Sequence, residues 1–348
     1  MFDLKSPPYS ILPFKLFRPT NSPKPLFDTL FFEDGFDISI SKHILFLIKP
    51  PPQKLPLLDQ QILLRPWLIR ITKNARGETQ LFHPLRPIGS RSPYDFPYVL
   101  DFDKFSVVHL GTDFFIKEKT DIFARAMGIK KIETQVAAIT CHGKNPLALC
   151  RLAYKDRLQL FRCGEERWTP MPHIPTYLEN ICVFKERFCV VNKIGRTYAI
   201  GPDYSVQLVA DHVVYGGGDI KFLVESEGEL LLVDIYDSHC FGFPGEDGLK
   251  LDVFRLDEKK KDWIKLTGLG DRVLFLGNGC SFLASTSDLS VAKGNCVVFV
   301  DDSFLPFGCG VCVFHLDQGR LSRLSDYPDY FNLFWPPPEW IVKHCSQS

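Results

Sequence analysis

The stretch from Lys221 to Phe299 limits the fold more than any other part of the chain. It reads KFLVESEGELLLVDIY, then a Gly-rich gap, then LDVFRLDEKKKDWIKLTGLGDRVLFLGNGCSFLASTSDLSVAKGNCVVF. Apolar runs at Phe222–Val224, Leu230–Val233, Val253–Leu256, Val273–Leu276 and Cys296–Val300 alternate with polar turns. Each run is too short for a helix and is bounded by Gly, Asp, Glu, Lys or Ser. That pattern predicts consecutive antiparallel strands. It specifies an all-β scaffold and by itself says nothing about activity.

The same grammar extends on both sides. HILFLI (His43–Ile48) is predicted as a strand that stops at Pro50-Pro51-Pro52. Residues 66–73 and 78–85 form a hairpin across 74–77. Residues 105–117 form another, turning at Gly111-Thr112. The segment 121–131 fits a short helix and an inserted loop equally well. From Ile132 onward hairpins follow regularly, ending with Val311–Leu324 turning at Asp317–Gly319. The aromatic, Pro-rich tail YPDYFNLFWPPPEWI is expected to pack as an irregular clasp. Residues 1–30 carry Pro7, Pro8, Pro13, Pro19, Pro23 and Pro25. Proline donates no amide and biases its predecessor away from helix. An irregular extension is therefore expected there, with regular structure beginning near Ile38 and the folded domain spanning 31–345.

A loose repeat runs through the chain. RLQLFRCGEERWTPM, LDVFRLDEKKKDWIKL and VCVFHLDQGRLSRL share a strand, a charged or Gly-bearing turn and a second strand. Trp168 and Trp263 hold matching places. Recurrence at roughly 45–80 residues suggests propeller blades related to WD or kelch repeats. About two dozen candidate strands, four to a blade, predict a β-propeller of about six four-stranded blades. One blade cannot bury both of its faces; stacking in a closed ring does so and limits exposed edges.

Composition excludes some functions. The formal net charge is +0, so nothing draws the whole chain toward nucleic acid or an anionic membrane. The 13% aromatic content, with 30 Phe, suits a β-rich core. The 11 cysteines are odd in number and irregularly spaced, with Cys182, Cys189 and Cys296 inside apolar runs. They read as reduced, buried thiols of an intracellular protein, nuclear or cytoplasmic. No apolar run approaches the roughly 18 residues of a membrane span, and the N-terminus does not resemble a signal peptide.

Several residues invite a chemical reading. Gly216-Gly217-Gly218-Asp219 lacks the Lys-Ser/Thr and the helix of a phosphate loop, so it reads as a turn. Cys309-x-x-Cys312 with His315 has metal-like spacing, but alternation puts Cys312 and His315 on opposite faces of one strand. Asp211-His212 has no nucleophile elbow to serve. Asp301-Asp302 fits both cation binding and turn chemistry. Lys259-Lys260-Lys261 is offset by neighbouring acids and reads as a solvated hairpin tip. Trp335 and Trp340 fit a tail packed on the last blade better than a recognition surface. No catalytic, cofactor-binding or metal-binding residue is assigned, and no cofactor is expected.

Particular phrases resemble a plant family: F-box proteins of the Skp-interacting partner group with a KIB-type β-propeller. The phrases are ILFLIKPP (Ile44–Pro51), PWLIRI (Pro66–Ile71), RWTPMP (Arg167–Pro172), GRTYAIG (Gly195–Gly201), KFLVESEGELLLVDIY (Lys221–Tyr236), Leu269–Phe299 and YPDYFNLFWPPPEW (Tyr327–Trp340). The resemblance covers Ile38 to the end. It implies a non-enzymatic protein-interaction propeller related to the substrate-recognition subunits of Skp–cullin–F-box E3 ubiquitin ligases. The family's F-box binds a Skp adaptor. The first residues here lack the helical Leu-Pro…Val-Cys…Trp pattern of an F-box, so that contact is not carried onto any residue. Within the resemblance, this implies either a truncated gene model or a propeller-only member. The alternative function is a propeller enzyme with a site in the central channel. Protein substrates are the expected partners, without nucleic acid or membrane.

Overall fold

A computed structural model describes residues 29–31, 37–51, 64–73, 79–85, 94, 96, 98–100, 102–118, 133–139, 147–152, 157–162, 168–171, 174, 178–201, 203–213, 217–218, 220–236, 249–277, 279–300 and 311–347. The expected helix or loop at 121–131 and most of the Pro-rich extension lie outside these residues. Val, Ile, Leu and Phe dominate the strands, and they suit a pleated surface packed on both sides.

The strands group into five blade-like units, not six four-stranded blades. The first contains β1 (Thr29–Phe31), β2 (Asp37–Lys49), β3 (Trp67–Lys73), β4 (Thr79–Phe82) and β6 (Ser106–Glu118). Here β2 lies between β6 and β3, while β1 pairs with the start of β2. The second contains β7 (Glu133–Ile139), β8 (Leu147–Leu152), β9 (Arg157–Arg162) and β10 (Trp168–Pro170). Pairing of β6 with β7, from Phe114 to Lys117, joins these two units into one nine-stranded sheet. The third runs β11 (Leu178–Phe184), β12 (Arg187–Asn192), β13 (Thr197–Ile200), β14 (Val206–Ala210). The fourth runs β15 (Ile220–Ser226), β16 (Glu229–Tyr236), β17 (Lys250–Asp257), β18 (Asp262–Lys265).

The fifth unit departs from a simple meander. It contains β19 (Arg272–Leu276), β20 (Phe282–Ser285), β21 (Cys296–Val300), β22 (Val311–His315) and β23 (Arg320–Arg323). In it β19 pairs with β21 in parallel, so this sheet is not wholly antiparallel although its paired consecutive strands are. The connection passes through β20 and a one-turn helix, Thr286–Leu289, capped by the Ser285 hydroxyl accepting from the Asp288 amide. The count of about two dozen strands was sound: 24 are present among the described residues. The blade number fell because four of them extend or clip other units. These are β1, the fifth strand of the last unit, and the pair β5 (Tyr98–Val99) with β24 (Ser346–Gln347).

The predicted turn at Gly111-Thr112 is also corrected. β6 runs straight through it, pairing with β2 from Ser106 to Glu118 with one irregularity at Leu45/Phe46. Gly111 serves a close approach instead: a Cβ there would collide with Cys280 Sγ. True turns lie where two consecutive residues adopt positive φ, as at Lys185-Glu186 (47° and 59°) and Glu227-Gly228 (53° and 79°). These are the conformations of tight two-residue hairpins.

Face-to-face packing closes the ring. Leu149, Leu158 and Leu160 of the second unit pack with Ile181, Phe188 and Val190 of the third. Val191 and Ala199 of the third meet Leu223, Leu232 and Trp263 of the fourth. Val224, Leu231 and Val253 of the fourth meet Leu274, Val297 and Phe314 of the fifth. Leu45, Leu47 and Leu68 of the first then meet Phe275, Val298 and Val313 of the fifth. Because neighbours cover both faces, middle strands such as β21 and β22 are buried at every residue. They therefore read as continuous apolar runs rather than alternating ones.

The other face of the first unit is covered by the C-terminal segment, which is more regular than the expected irregular clasp. It forms short helices at Pro328–Phe331 and Glu339–His344 before β24. Trp340 and Ile341 pack on Ile44, Phe46, Ile48, Trp67 and Ile69. The Leu68 amide donates to the Leu333 carbonyl at 2.8 Å, and Trp340 Nε1 to the Arg65 carbonyl at 2.9 Å. Among the described residues no helix is long and apolar enough to cross a membrane.

Candidate functional site

The ring closes over a buried polar cluster. Alternation along β2 puts His43 on the same face as Leu45 and Leu47, the face that meets the fifth unit. Register places His43 between Thr72 of β3 and Asp113 of β6, with Arg70 opposite Leu45. His43, Arg70, Thr72 and Asp113 are all buried. The fifth unit approaches through Gly277 and Cys280. A Cβ on Gly277 would sit 2.5 Å from the Cys280 carbonyl, so glycine is required where the chain folds back on itself there, and 3.6 Å from Arg70 Nη2, an ordinary contact.

Electrostatics follow from that burial. Arg70 Nη2 donates to the Pro84 carbonyl. Neither side-chain oxygen of Asp113 has a hydrogen-bond donor among the described residues. Burial pushes the Asp113 carboxyl up to about 6, and the Arg70 charge only partly opposes it. Burial and the Asp113 charge hold the Cys280 thiol well above its ordinary range, so it stays protonated and unreactive. Burial, then the Lys42 charge, hold His109 below the ordinary histidine value. Chemically, the cluster is a proton-holding group inside a packed junction. Its members were missed in the sequence, although Arg70 interrupting WLIRITK was a readable signal.

A second buried pair lies in the fourth unit. Lys221 Nζ donates to Asp234 Oδ1 at 2.6 Å and to the Gly218 carbonyl at 2.9 Å. This gives Gly218 a structural role, while Gly216 and Asp219 lie outside the described residues. A Cβ on Gly218 would collide with the Asp234 carboxylate, so the chain passes there only as glycine. The Gly217 amide donates to the Tyr236 hydroxyl at 3.3 Å. Burial and the Asp234 charge push that phenol up to about 12.

The other singled-out residues are dispersed. Cys312 faces the fourth unit, whereas His315 is buried against Tyr327 on the opposite face, their rings 4.9 Å apart. Cys309 and Asp301-Asp302 lie outside the described residues. Asp211 is engaged by Arg196 at 2.8 Å and by the His212 amide at 2.7 Å. The His212 backbone and side-chain bonds, then the Arg196 bond, hold its carboxyl far below the usual range. Lys259-Lys260-Lys261 forms the β17–β18 turn, with the first two amides donating to Asp257 Oδ1. Trp335 stacks on Tyr94 at 4.3 Å, so it and Trp340 belong to the clasp. Among the described residues no group of three or more His, Cys, Asp or Glu is placed to hold a metal ion.

A ring of short, mostly antiparallel sheets packed against one another defines a β-propeller scaffold. The chain belongs to the KIB1-4 beta-propeller family, whose model matches residues 55–315. It is 30% identical to the F-box protein SKIP23 of Arabidopsis thaliana over 91% of this chain and 83% of that protein. It is 28% identical to the Arabidopsis F-box protein At2g17036, over 79% and 73% of the two chains. A putative Arabidopsis F-box/kelch-repeat protein, At5g24040, is 24% identical over 54% of this chain and 52% of that one.

Proposed function

We propose that this chain is a non-enzymatic protein-interaction propeller that presents substrates to an E3 ubiquitin ligase of the Skp–cullin–F-box type. The observation that carries the reading is the similarity to SKIP23 along nearly the whole chain, together with the family match. The fold agrees physically. The sheets pack against one another, which leaves the inter-strand loops on the faces of the ring to contact a partner. In this reading the propeller runs from β1, which begins at Thr29 rather than at 31, through β24, and the Pro-rich residues before it form an extension. The protein acts inside the cell, in the nucleus, the cytoplasm or both, with a protein substrate as its partner.

Affinity purification from plant tissue tests the reading. Repeated recovery of one specific protein is the expected result; recovery of none overturns it. A pull-down against a purified plant Skp adaptor, with an F-box-containing relative as positive control, then tells whether these residues contact the adaptor themselves.

A further inference from the structure

We propose that Cys182 and Cys189 form a reversible intramolecular disulfide, making the β11–β12 hairpin a redox modification site. The two residues are direct cross-strand partners. They sit on one face, against Phe184 and Val191 of their own unit and Leu223, Leu230 and Trp263 of the fourth. Both are free thiols; Cys182 is half-buried and Cys189 buried. Cys182 is the member of the pair that meets solvent, and Cys189 lies in the packed junction.

Hairpin geometry brings the two cysteines within bridging range, so that closure needs only a small adjustment of the two strands. The two-residue turn Lys185-Glu186 makes Phe184 and Arg187 a hydrogen-bonded pair. Alternation makes Cys182 and Cys189 the next such pair, with Cα atoms about 5.5 Å apart. Disulfides span about 4.4–6.8 Å between Cα atoms. Their Cβ atoms must close from about 5 Å to about 4 Å, which stores strain and keeps the bond easy to reduce.

The local charges divide the roles. The thiol–thiol interaction with Cys182 lowers the Cys189 thiol from its ordinary value; burial opposes this, Arg187 adds to it and Glu258 opposes it. The same interaction, burial and Glu225 hold Cys182 well above its ordinary value. Glu258 is itself paired with Lys185 at 2.5 Å. Cys189 is therefore the attacking sulfur and Cys182 the resolving one.

With hydrogen peroxide as oxidant, the Cys189 thiolate attacks one oxygen and the O–O bond breaks. Hydroxide leaves and takes up the proton Cys189 released, forming water, and Cys189 becomes a sulfenic acid. The Cys182 sulfur attacks that sulfur as it loses its proton, the S–O bond breaks, and a second water leaves. Two thiols and one peroxide yield one disulfide and two waters, with two electrons passing from sulfur to peroxide.

The test uses the full chain, oxidised with hydrogen peroxide while folded, freed of peroxide with catalase, and alkylated with N-ethylmaleimide in denaturant so that buried thiols also react. Trypsin cuts after Lys185 and Arg187, between the two cysteines, so the bond would join peptide 168–185 to peptide 188–193. The expected result is that linked pair, loss of two alkylation sites from the chain's 11 cysteines, and restoration of both by dithiothreitol. Cys182→Ser should instead leave a dimedone-reactive Cys189. Full alkylation of both peptides from oxidised, folded chain, or linkage only after denaturation, would overturn the proposal. So would a Cys189 that stays a thiol in the variant while other cysteines oxidise.

Discussion

Lys221 and Asp234 face each other across β15 and β16, 2.6 Å apart, with both side chains fully buried. Two desolvated charges survive there because each offsets the other and the Gly218 carbonyl takes a second lysine hydrogen. Removing one partner leaves the other charge buried alone. Lys221→Met or Asp234→Leu should each cost about 3–5 kcal/mol, whereas the double replacement should cost far less or stabilise. Urea denaturation of the three variants checks this; equal losses in the double variant and the singles would refute the pairing.

Asp113 makes stability depend on pH. Its folded value, about 6, lies above the ordinary 3.8 because burial disfavours the charge. Between those values the folded chain holds a proton that the unfolded chain has released. Stability from this group is therefore full below about pH 4, falls as pH rises to about 6, and is level above that. Asp113→Asn removes the titration. Relative to wild type, the variant should gain on the order of 3 kcal/mol between pH 4 and pH 7. A variant-minus-wild-type difference that stays flat across this range would contradict the assignment.

The clasp should matter to the whole ring. Trp340 is buried on the first unit and bonds the Arg65 carbonyl. Trp340→Ala removes a large apolar contact and should cost about 3–5 kcal/mol. Trp340→Phe keeps most of the contact but leaves the carbonyl unpaired, for about 1–3 kcal/mol. Thermal melts of both variants should rank them in that order.

The closing junction admits a comparable test. Phe275 stacks on Phe282 at 4.8 Å, in the cluster that includes Leu45 of the first unit. Leu45→Ala should cost about 2–5 kcal/mol by opening a cavity between the first and fifth units. Exposed Ile264→Ala, on the β18 edge, should cost within about 0.5 kcal/mol. Equal losses at the two sites would argue against a closed ring.

Most strands were legible because their information is local. The apolar runs of KFLVESEGELLLVDIY and the pairing of the strands on either side of 74–77 reappear in the structure. Gly111-Thr112 misled because glycine within an apolar run signals both a turn and a close approach. Only the distant Cys280, from the other end of the ring, distinguishes the two. The buried charges were harder to read. Lys221, Asp234 and Asp113 look like surface residues until a neighbouring unit covers their face.

The sequence by itself determined an all-β chain, its hairpins and its family, because side-chain period and turn chemistry act over a few residues. Tertiary structure decided that there are five units rather than six, that β6 joins β7 edge to edge, and that β19 pairs with β21 in parallel. It also decided which charges are buried. Those outcomes depend on which sheet faces and edges meet, a choice made by packing between segments far apart in the chain.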